Sequence, residues 1–255
     1  MKSELQKLLM VILLFSIGYF SAALAEGDGS NASDPTAAVN YVDFRFQAFD
    51  LPNSKDRDRY AVEGAYVITP EHKLTYEINY WETDITGKDE SGLESVKGKY
   101  IHLMPRMLSG GLKYKLALGT EVILDQGDVD EGIGTGTDQI APLFGAGWLF
   151  SERNFFITLV QYFHSVSEDD GAEKVRVTGP RFIWIHKIPS IRGWLKVDNK
   201  FAIDHEDDNH TSNIIEIQLG RMFTPSIGAY VEYLNNNAGV RAYDDGIGVG
   251  LRIAF

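Results

Sequence analysis

The chain closes on "DDGIGVGLRIAF", Asp244–Phe255. Ile247, Val249, Leu251 and Ile253 alternate with Gly246, Gly248, Gly250, Arg252 and Ala254. In a β-strand successive side chains point to opposite faces. One face of this strand is therefore wholly apolar, and the other is nearly bare apart from one guanidinium. Something apolar must receive the first face, and the rest of the sequence has to supply it.

The opposite end of the chain bears on where that medium lies. "MKSELQKLLMVILLFSIGYFSAALA" (Met1–Ala25) begins with Lys2 and Lys7 and continues through a mostly apolar run to Phe20. It closes on Ala23-Leu24-Ala25, the small-x-small pattern of a secretory signal peptide cut after Ala25. The run is shorter than the roughly 20 residues a spanning helix needs. Residues 26–38 are polar, small and Pro-containing, and read as a flexible periplasmic lead-in. The sequence holds no cysteine, so neither disulfide nor lipidated cysteine is possible. The chain carries 24 basic and 36 acidic residues. Without Lys2, Lys7 and Glu4 it keeps 22 and 35, a net charge of −13. That balance argues against nucleic acid as a partner, because phosphates demand the opposite sign.

From Val39 to Phe255 the sequence keeps a two-residue rhythm in segments of about 10 residues, the length of membrane-spanning strands. "YVDFRFQAF" sets Val42, Phe44 and Phe46 against Asp43, Arg45 and Gln47. "RYAVEGAYVI" sets Tyr60, Val62 and Tyr66 against Ala61 and Glu63, and "KLTYEINYWE" sets Leu74, Tyr76 and Ile78 against Glu77 and Asn79. In "KGKYIHLMPRM" the apolar set is Ile101, Leu103 and Met107, which turns His102, Met104 and Arg106 inward. "GLKYKLALGTEVIL" opposes Leu116, Leu118 and Val122 to Lys113, Lys115 and Glu121. "QIAPLFGAGWLF" opposes Ile140 and Phe144 to Ala141 and Gly145. "NFFITLVQYFHSV" is apolar on both faces, so its parity stays open. "KVRVTGPRFIWIH" reads as switching faces at a bulge near Gly179-Pro180. The alternation then returns in "WLKVDNKFAI", "NIIEIQLGRMF", "SIGAYVEYL" and the closing strand.

Five short connections, such as "TPEHK" and "TPS", interleave with six long ones, such as "DLPNSKDRD" and "DQGDVDEGIGTGTDQ". Aromatics sit near segment ends (Tyr60, Tyr80, Trp148, Trp184, Tyr233), as interfacial girdles do. The expected fold is an all-β, antiparallel, up-and-down transmembrane barrel of twelve strands, with short periplasmic turns and longer external loops. Soft element edges leave ten to fourteen strands open. The medium that takes the greasy face is lipid, and the closed ladder pairs every backbone group.

The inward charges are then Asp43, Glu63, Glu77, Glu121, Asp198, Glu216 and Glu232, against Arg45, Arg106, Lys113, Lys115, Lys196, Lys200 and Arg252. Seven face seven, a balance poorly suited to sorting ions by sign. Each is either neutralised by a neighbour or free to line a pore and orient a solute. Lys196, Asp198, Lys200, Glu216 and Arg252 could hold the polar end of a small molecule while Trp194 and Tyr230 contact its body. About eight strands fill with side chains and 16–18 leave a water channel, so twelve predicts a narrow or closed lumen.

Excess acid sits in the loops, at Asp125, Asp128, Asp130, Glu131, Glu168, Asp169, Asp170, Glu206, Asp207 and Asp208. A solvated rim or cation bridges to lipopolysaccharide phosphates would both account for it. "DVDEGIGTGTDQ" falls short of a calcium loop, lacking glycine at its sixth place and an acid at its twelfth. No cofactor or metal site is expected. For an enzyme, "HSVSEDD" offers His164 with Ser165 or Ser167, and neither spacing matches the His-x-Ser of barrel phospholipases. Asp208-x-His210 faces too many chance Asp-x-Asp partners (Asp56 with Asp58, Asp128 with Asp130) to mark an omptin-type protease. A barrel without enzymatic activity is expected.

The C-terminal half also carries a resemblance. "QIAPLFGAGWLF", "GWLKVDNKFAI", "IEIQLGRMFTPS" and "GIGVGLRIAF" resemble the outer-membrane transporters grouped with the phenol-degradation (MetA-type) pathway proteins. Pro142, Trp194, Leu195, Lys196, Asp198, Gln218, Gly220, Arg221 and Arg252 are the matching positions. The resemblance implies a bacterial outer-membrane barrel taking up small, often hydrophobic solutes. A last strand ending in Phe255 likewise resembles the signal read by the barrel assembly machinery. The alternative class is a non-transport barrel that is structural or tethers lipopolysaccharide, with a hydrolase behind it.

Overall fold

A computed structural model of the chain describes residues 38–104, 107–109, 112–169, 171–239 and 243–255. The expected leader and most of the lead-in therefore lie outside the described residues, as does Arg106. Thirteen strands run in order: β1 (Tyr41–Leu51), β2 (Lys55–Thr69), β3 (His72–Thr83), β4 (Glu90–Leu103), β5 (Met107–Ser109), β6 (Leu112–Asp125), β7 (Thr137–Leu149), β8 (Asn154–Glu168), β9 (Arg176–Ile188), β10 (Gly193–Asp204), β11 (His210–Met222), β12 (Ile227–Ala238) and β13 (Asp245–Ala254). Apart from β4 and β5, which do not pair with each other, each strand pairs antiparallel with its neighbours in sequence, and β1 pairs with β13. The short β5 pairs with β6 beyond the end of β4, which pairs with β6 as well. β4 and β5 thus form one interrupted stave, and the sheet is a closed antiparallel barrel of twelve staves.

Closure explains the terminal strand. All ten residues of β13 lie opposite β1, from Asp50↔Asp245 to Tyr41↔Ala254. Ile247, Val249 and Leu251 are exposed on the outside, and Gly246, Gly248, Gly250 and Arg252 are buried inside. The outer face elsewhere is equally apolar, with Tyr66, Phe144, Val160, Leu219 and Val231 exposed. Trp148 and Phe156 lie near the short-turn end and Tyr60 and Tyr80 nearer the long-loop end, the two aromatic bands such barrels place at membrane interfaces.

The inner glycines make room. A Cβ on Gly250 or Gly220 would come 2.1 Å from a ring carbon of Tyr230 or Trp194. One on Gly248 would come 2.7 Å from the Glu232 carboxylate, and one on Gly246 2.7 Å from the Phe49 ring. The bare face of β13 is therefore the floor on which β1 and β12 lay their large inward side chains.

Three expectations need correction. On β4 it is Lys97, Lys99, Ile101 and Leu103 that face the lumen, while His102 points outward and lies beside His72 with ring centres 4.7 Å apart. The apolar pair misled because the lumen has an apolar wall at that place. No bulge occurs at Gly179-Pro180, where β9 keeps constant register with β8 and β10. Ile183 and Ile185 are buried inside, in an apolar cluster with Ile157 and Phe155. The bulges lie instead at Val67/Thr69, Asn79/Tyr80, Asp138/Gln139 and Asn213/Ile214. Some expected long loops are shorter, because β1 and β2 run on to a turn at residues 52–54, with Asn53 and Ser54 left-handed.

Val249→Arg puts a charge on the lipid face of β13, and its cost near the bilayer midplane is about 2–4 kcal/mol. Urea titration of the refolded barrel in vesicles should show that loss, and a midpoint equal to the parent's would place Val249 away from lipid.

Candidate functional site

The interior is built from alternate residues of the staves. At the short-turn end Trp194, Met222, Tyr230 and Ala254 form a buried cluster with Tyr41 and Val39 against it. Arg252 lies inside it, its guanidinium carbon 4.9 Å from the Tyr41 ring centre, 5.2 Å from Trp194 and 5.5 Å from Tyr230. Arg252 Nε and Nη2 donate to the two carboxylate oxygens of Asp43 at 2.8 and 2.5 Å. A bidentate pair enclosed by aromatic faces is a strong anchor, since charge-assisted bonds and cation–π attraction both gain from desolvation. Trp194 and Tyr230 are consumed by this packing, so the expectation that they touch a solute fails.

At the other end Phe49, Leu51, Leu234 and Tyr243 pack together, with Ile214 against them. Tyr243 reaches in from the β12–β13 loop to pack against Phe49, ring centres 4.7 Å apart and planes tilted by 45°, and burial pushes its phenol pKa up. Ile133 of the β6–β7 loop is buried too and would lie 3.4 Å from a Cβ on Gly92.

Between these ends a polar chain joins side chains of seven staves and passes over the bare β13. Trp194 Nε1 donates to Gln218 at 2.9 Å, and Gln218 donates to Glu232 at 3.3 Å. Glu232 accepts from Gln47 at 2.7 Å, and Gln47 accepts from Arg59 at 3.0 Å. Arg59 donates to Asn79 at 2.8 Å and to Glu77 at 2.7 Å, and Glu77 accepts from Lys97 at 3.1 Å. Arg45 bridges to Glu63 at 2.5 Å and to the Tyr230 hydroxyl at 3.2 Å. A second group joins Lys196 and Lys200 to Glu216 at 2.6 and 2.8 Å and Arg181 to Asp198 at 2.8 and 2.5 Å. Lys99 reaches Glu121 at 3.2 Å, and Gln161 donates to the same carboxylate.

A cavity of about 450 Å³ occupies the lumen. Of the residues expected inside, Arg45, Glu63, Glu77, Glu121, Lys196, Asp198, Lys200, Glu216 and Arg252 border it. Asp43 and Glu232 face inward but are buried behind that lining. Lys113 and Lys115 have inward parity near the short-turn end of β6, away from the cavity wall. Arg59, Lys97, Lys99 and Arg181 border the cavity and escaped the sequence reading. Arg59 shares the parity of Ala61 and Glu63, and Tyr100 on the outer girdle would have set Lys97 and Lys99 inward. Arg181 was hidden by the greasy residues on both faces of β9.

The rest of the lining is apolar: Ile101, Leu103, Ala117, Leu143, Ala146, Ile157, Leu159, Phe163 and Ile183. These come from β4 and β6–β9. β8 stands six staves from β1 in the closed order, so its apolar side chains face the charges of β1 and β2, while Lys97, Lys99, Glu121 and Arg181 bring charge up to the edges of the apolar surface.

The enzyme-like patterns do not assemble. His164 is exposed on the outside of β8, whereas Ser165 is buried and donates to Glu168. Thr178, His205 and Asn209 do stand in series, Oγ1 to Nε2 at 2.8 Å and Nδ1 to Oδ1 at 2.7 Å, at the exposed long-loop rim. In "DVDEGIGTGTDQ" the organising group is Asp125, just upstream, which accepts from the backbone of Gly127 and Thr135 at 2.9 and 2.6 Å. Among the described residues no three His, Asp or Glu side chains converge as a metal site.

This architecture is that of a closed twelve-stave antiparallel barrel, and solved outer-membrane barrels share it. An outer membrane channel from Pseudomonas putida F1 superposes with a TM-score of 0.67 at 9% identity, covering 86% of this chain and 96% of that one. The NanC porin gives 0.64 at 11% identity, over 84% and 98% of the two chains. Outer membrane phospholipase A from Escherichia coli gives 0.51 at 10% identity, over 89% and 98%. No protein-family model matches the chain, and no curated protein matches it in sequence.

Removing one partner of the Asp43–Arg252 pair strands a buried charge, which costs about 3–5 kcal/mol. Arg252→Met and Asp43→Leu alone should each lower the unfolding midpoint of the micellar protein sharply. The double variant should recover most of the loss, and a double variant as weak as the singles would disprove mutual neutralisation.

Proposed function

We propose that the barrel sits in the bacterial outer membrane and passes or binds small solutes, hydrophobic or aromatic molecules among them. The observation that carries this reading is the lumenal cavity with its polar and apolar walls. A water-filled porin would not need the apolar wall, and a purely structural barrel would not need the cavity. The resemblance of the C-terminal half to transporters grouped with phenol degradation supports the solute class, and the channel folds that superpose on this one support passage. Membrane lipid and lipopolysaccharide would contact the outer belt, and Phe255 would present the assembly signal.

Single-channel recording of the refolded protein in a planar bilayer tests it. Small, stable steps above the leak are expected, and Lys196→Ala with Asp198→Ala should change their size without loss of the folded band on unheated gels. Silence of the parent protein in repeated insertions would overturn passage.

One observation favours a second reading, a hydrolase at the outer rim: the Thr178–His205–Asn209 series, in the nucleophile, base and orienter order of acyl-transfer sites. Hydrolysis of a p-nitrophenyl ester by the purified barrel, abolished in His205→Ala, would establish it. Equal rates in parent and variant would dismiss it.

A further inference from the structure

The whole chain is acidic, yet its lumen is not. Eight cationic side chains border the cavity against five carboxylates. Two of those carboxylates are shared: Glu77 serves Arg59 and Lys97, and Glu216 serves Lys196 and Lys200. Two of the pairs are also layered. The Lys200 side chain is 35% exposed where its partner Glu216 is 2%, and Arg181 is 31% exposed where Asp198 is 0%. At both, the carboxylate is a buried backing and the cation stands in front of it toward the lumen. An ammonium has three donors, so Lys200 can take a further acceptor without leaving Glu216.

Resting on the channel reading above, we propose that the cavity selects an amphiphilic organic anion. Its carboxylate or equivalent group lies between Arg181 and Lys200, paired neighbours on β9 and β10, and its hydrocarbon body lies along the adjoining apolar staves at Leu143, Ile157 and Leu159. Each wall rejects what the other accepts. A small inorganic anion leaves the apolar wall unused, and a neutral hydrocarbon leaves the cations without an acceptor. A cation meets the exposed ammonium and guanidinium groups first. The acidic loop rim does not reverse this preference. Exposed carboxylates are screened within about 8 Å at physiological salt, whereas a narrow lumen with low-dielectric walls focuses its own field.

The test uses the refolded full barrel in a planar bilayer under a KCl gradient, with sodium octanoate, sodium acetate and octan-1-ol as probes. The expected reversal potential has the sign of chloride preference. Octanoate should block the steps at a concentration about tenfold or more below acetate and octan-1-ol, and Lys200→Gln should weaken that block about tenfold, the worth of one charge-assisted hydrogen bond. Steps that prefer potassium, or equal block by octanoate and acetate, overturn the proposal while leaving the channel standing. If no steps occur, passage fails on its own, and equilibrium dialysis of labelled octanoate against barrel-loaded nanodiscs decides the site. Uptake above empty nanodiscs that falls in the Lys200→Gln variant supports it, and uptake equal to empty nanodiscs overturns it.

Discussion

A peptide group left unpaired in hydrocarbon costs several kcal/mol, and only a helix or a sheet without edges avoids that cost. Here the requirement is met by the ladder between β1 and β13, where the first and last staves pair along ten residues. Once the ladder closes, every inward residue is confined with eleven other staves. The interior must then be solved as a packing and charge problem in a fixed space. The glycines of β13 are part of that solution, because a side chain on each would occupy volume already taken by Phe49, Tyr230 and Glu232.

The charges inside obey the same confinement. Asp43, Asp198 and Glu216 are almost wholly buried, and each holds at least one cation. Buried carboxylates in such a place persist only when paired and hydrogen-bonded. The cross-stave chain from Trp194 to Lys97 spans eight of the twelve staves, β10 through β13 and β1 through β4, and stiffens that arc by polar contacts. The remaining arc holds the cluster of Ile157, Ile183 and Ile185, with Glu121 tied to Lys99 and Gln161. The two arcs present unlike surfaces to the same cavity.

That division also decided what the sequence could reveal. On β1, β2, β3 and β10–β13 the inner face is polar or bare and the outer face apolar, so alternation alone assigned Asp43, Glu63, Glu216 and Arg252 to the inside. On β4, β8 and β9 the inner face is itself partly apolar, and the two-residue signal vanished or inverted. Ile101 and Leu103 were set outside for that reason, and Arg181 passed unnoticed between Phe182 and Pro180. The twelve staves and the closing strand were legible because lipid imposes them on every stave. The cavity's composition was not, because it depends on which staves face each other across the lumen.

Arg252 does one further thing for its strand. Sliding β13 past β1 by two residues would keep every apolar side chain outside and every glycine inside, so lipid offers no objection to it. Such a slip would set Arg252 opposite Arg45 in one direction and opposite Tyr41 in the other, and would leave Asp43 alone in the interior. A shift of one residue is forbidden by the pleat, and a shift of two is forbidden by this single ion pair. The one charge on an otherwise featureless strand thus acts as the tooth that fixes the cylinder's stagger, and with the stagger, its bore.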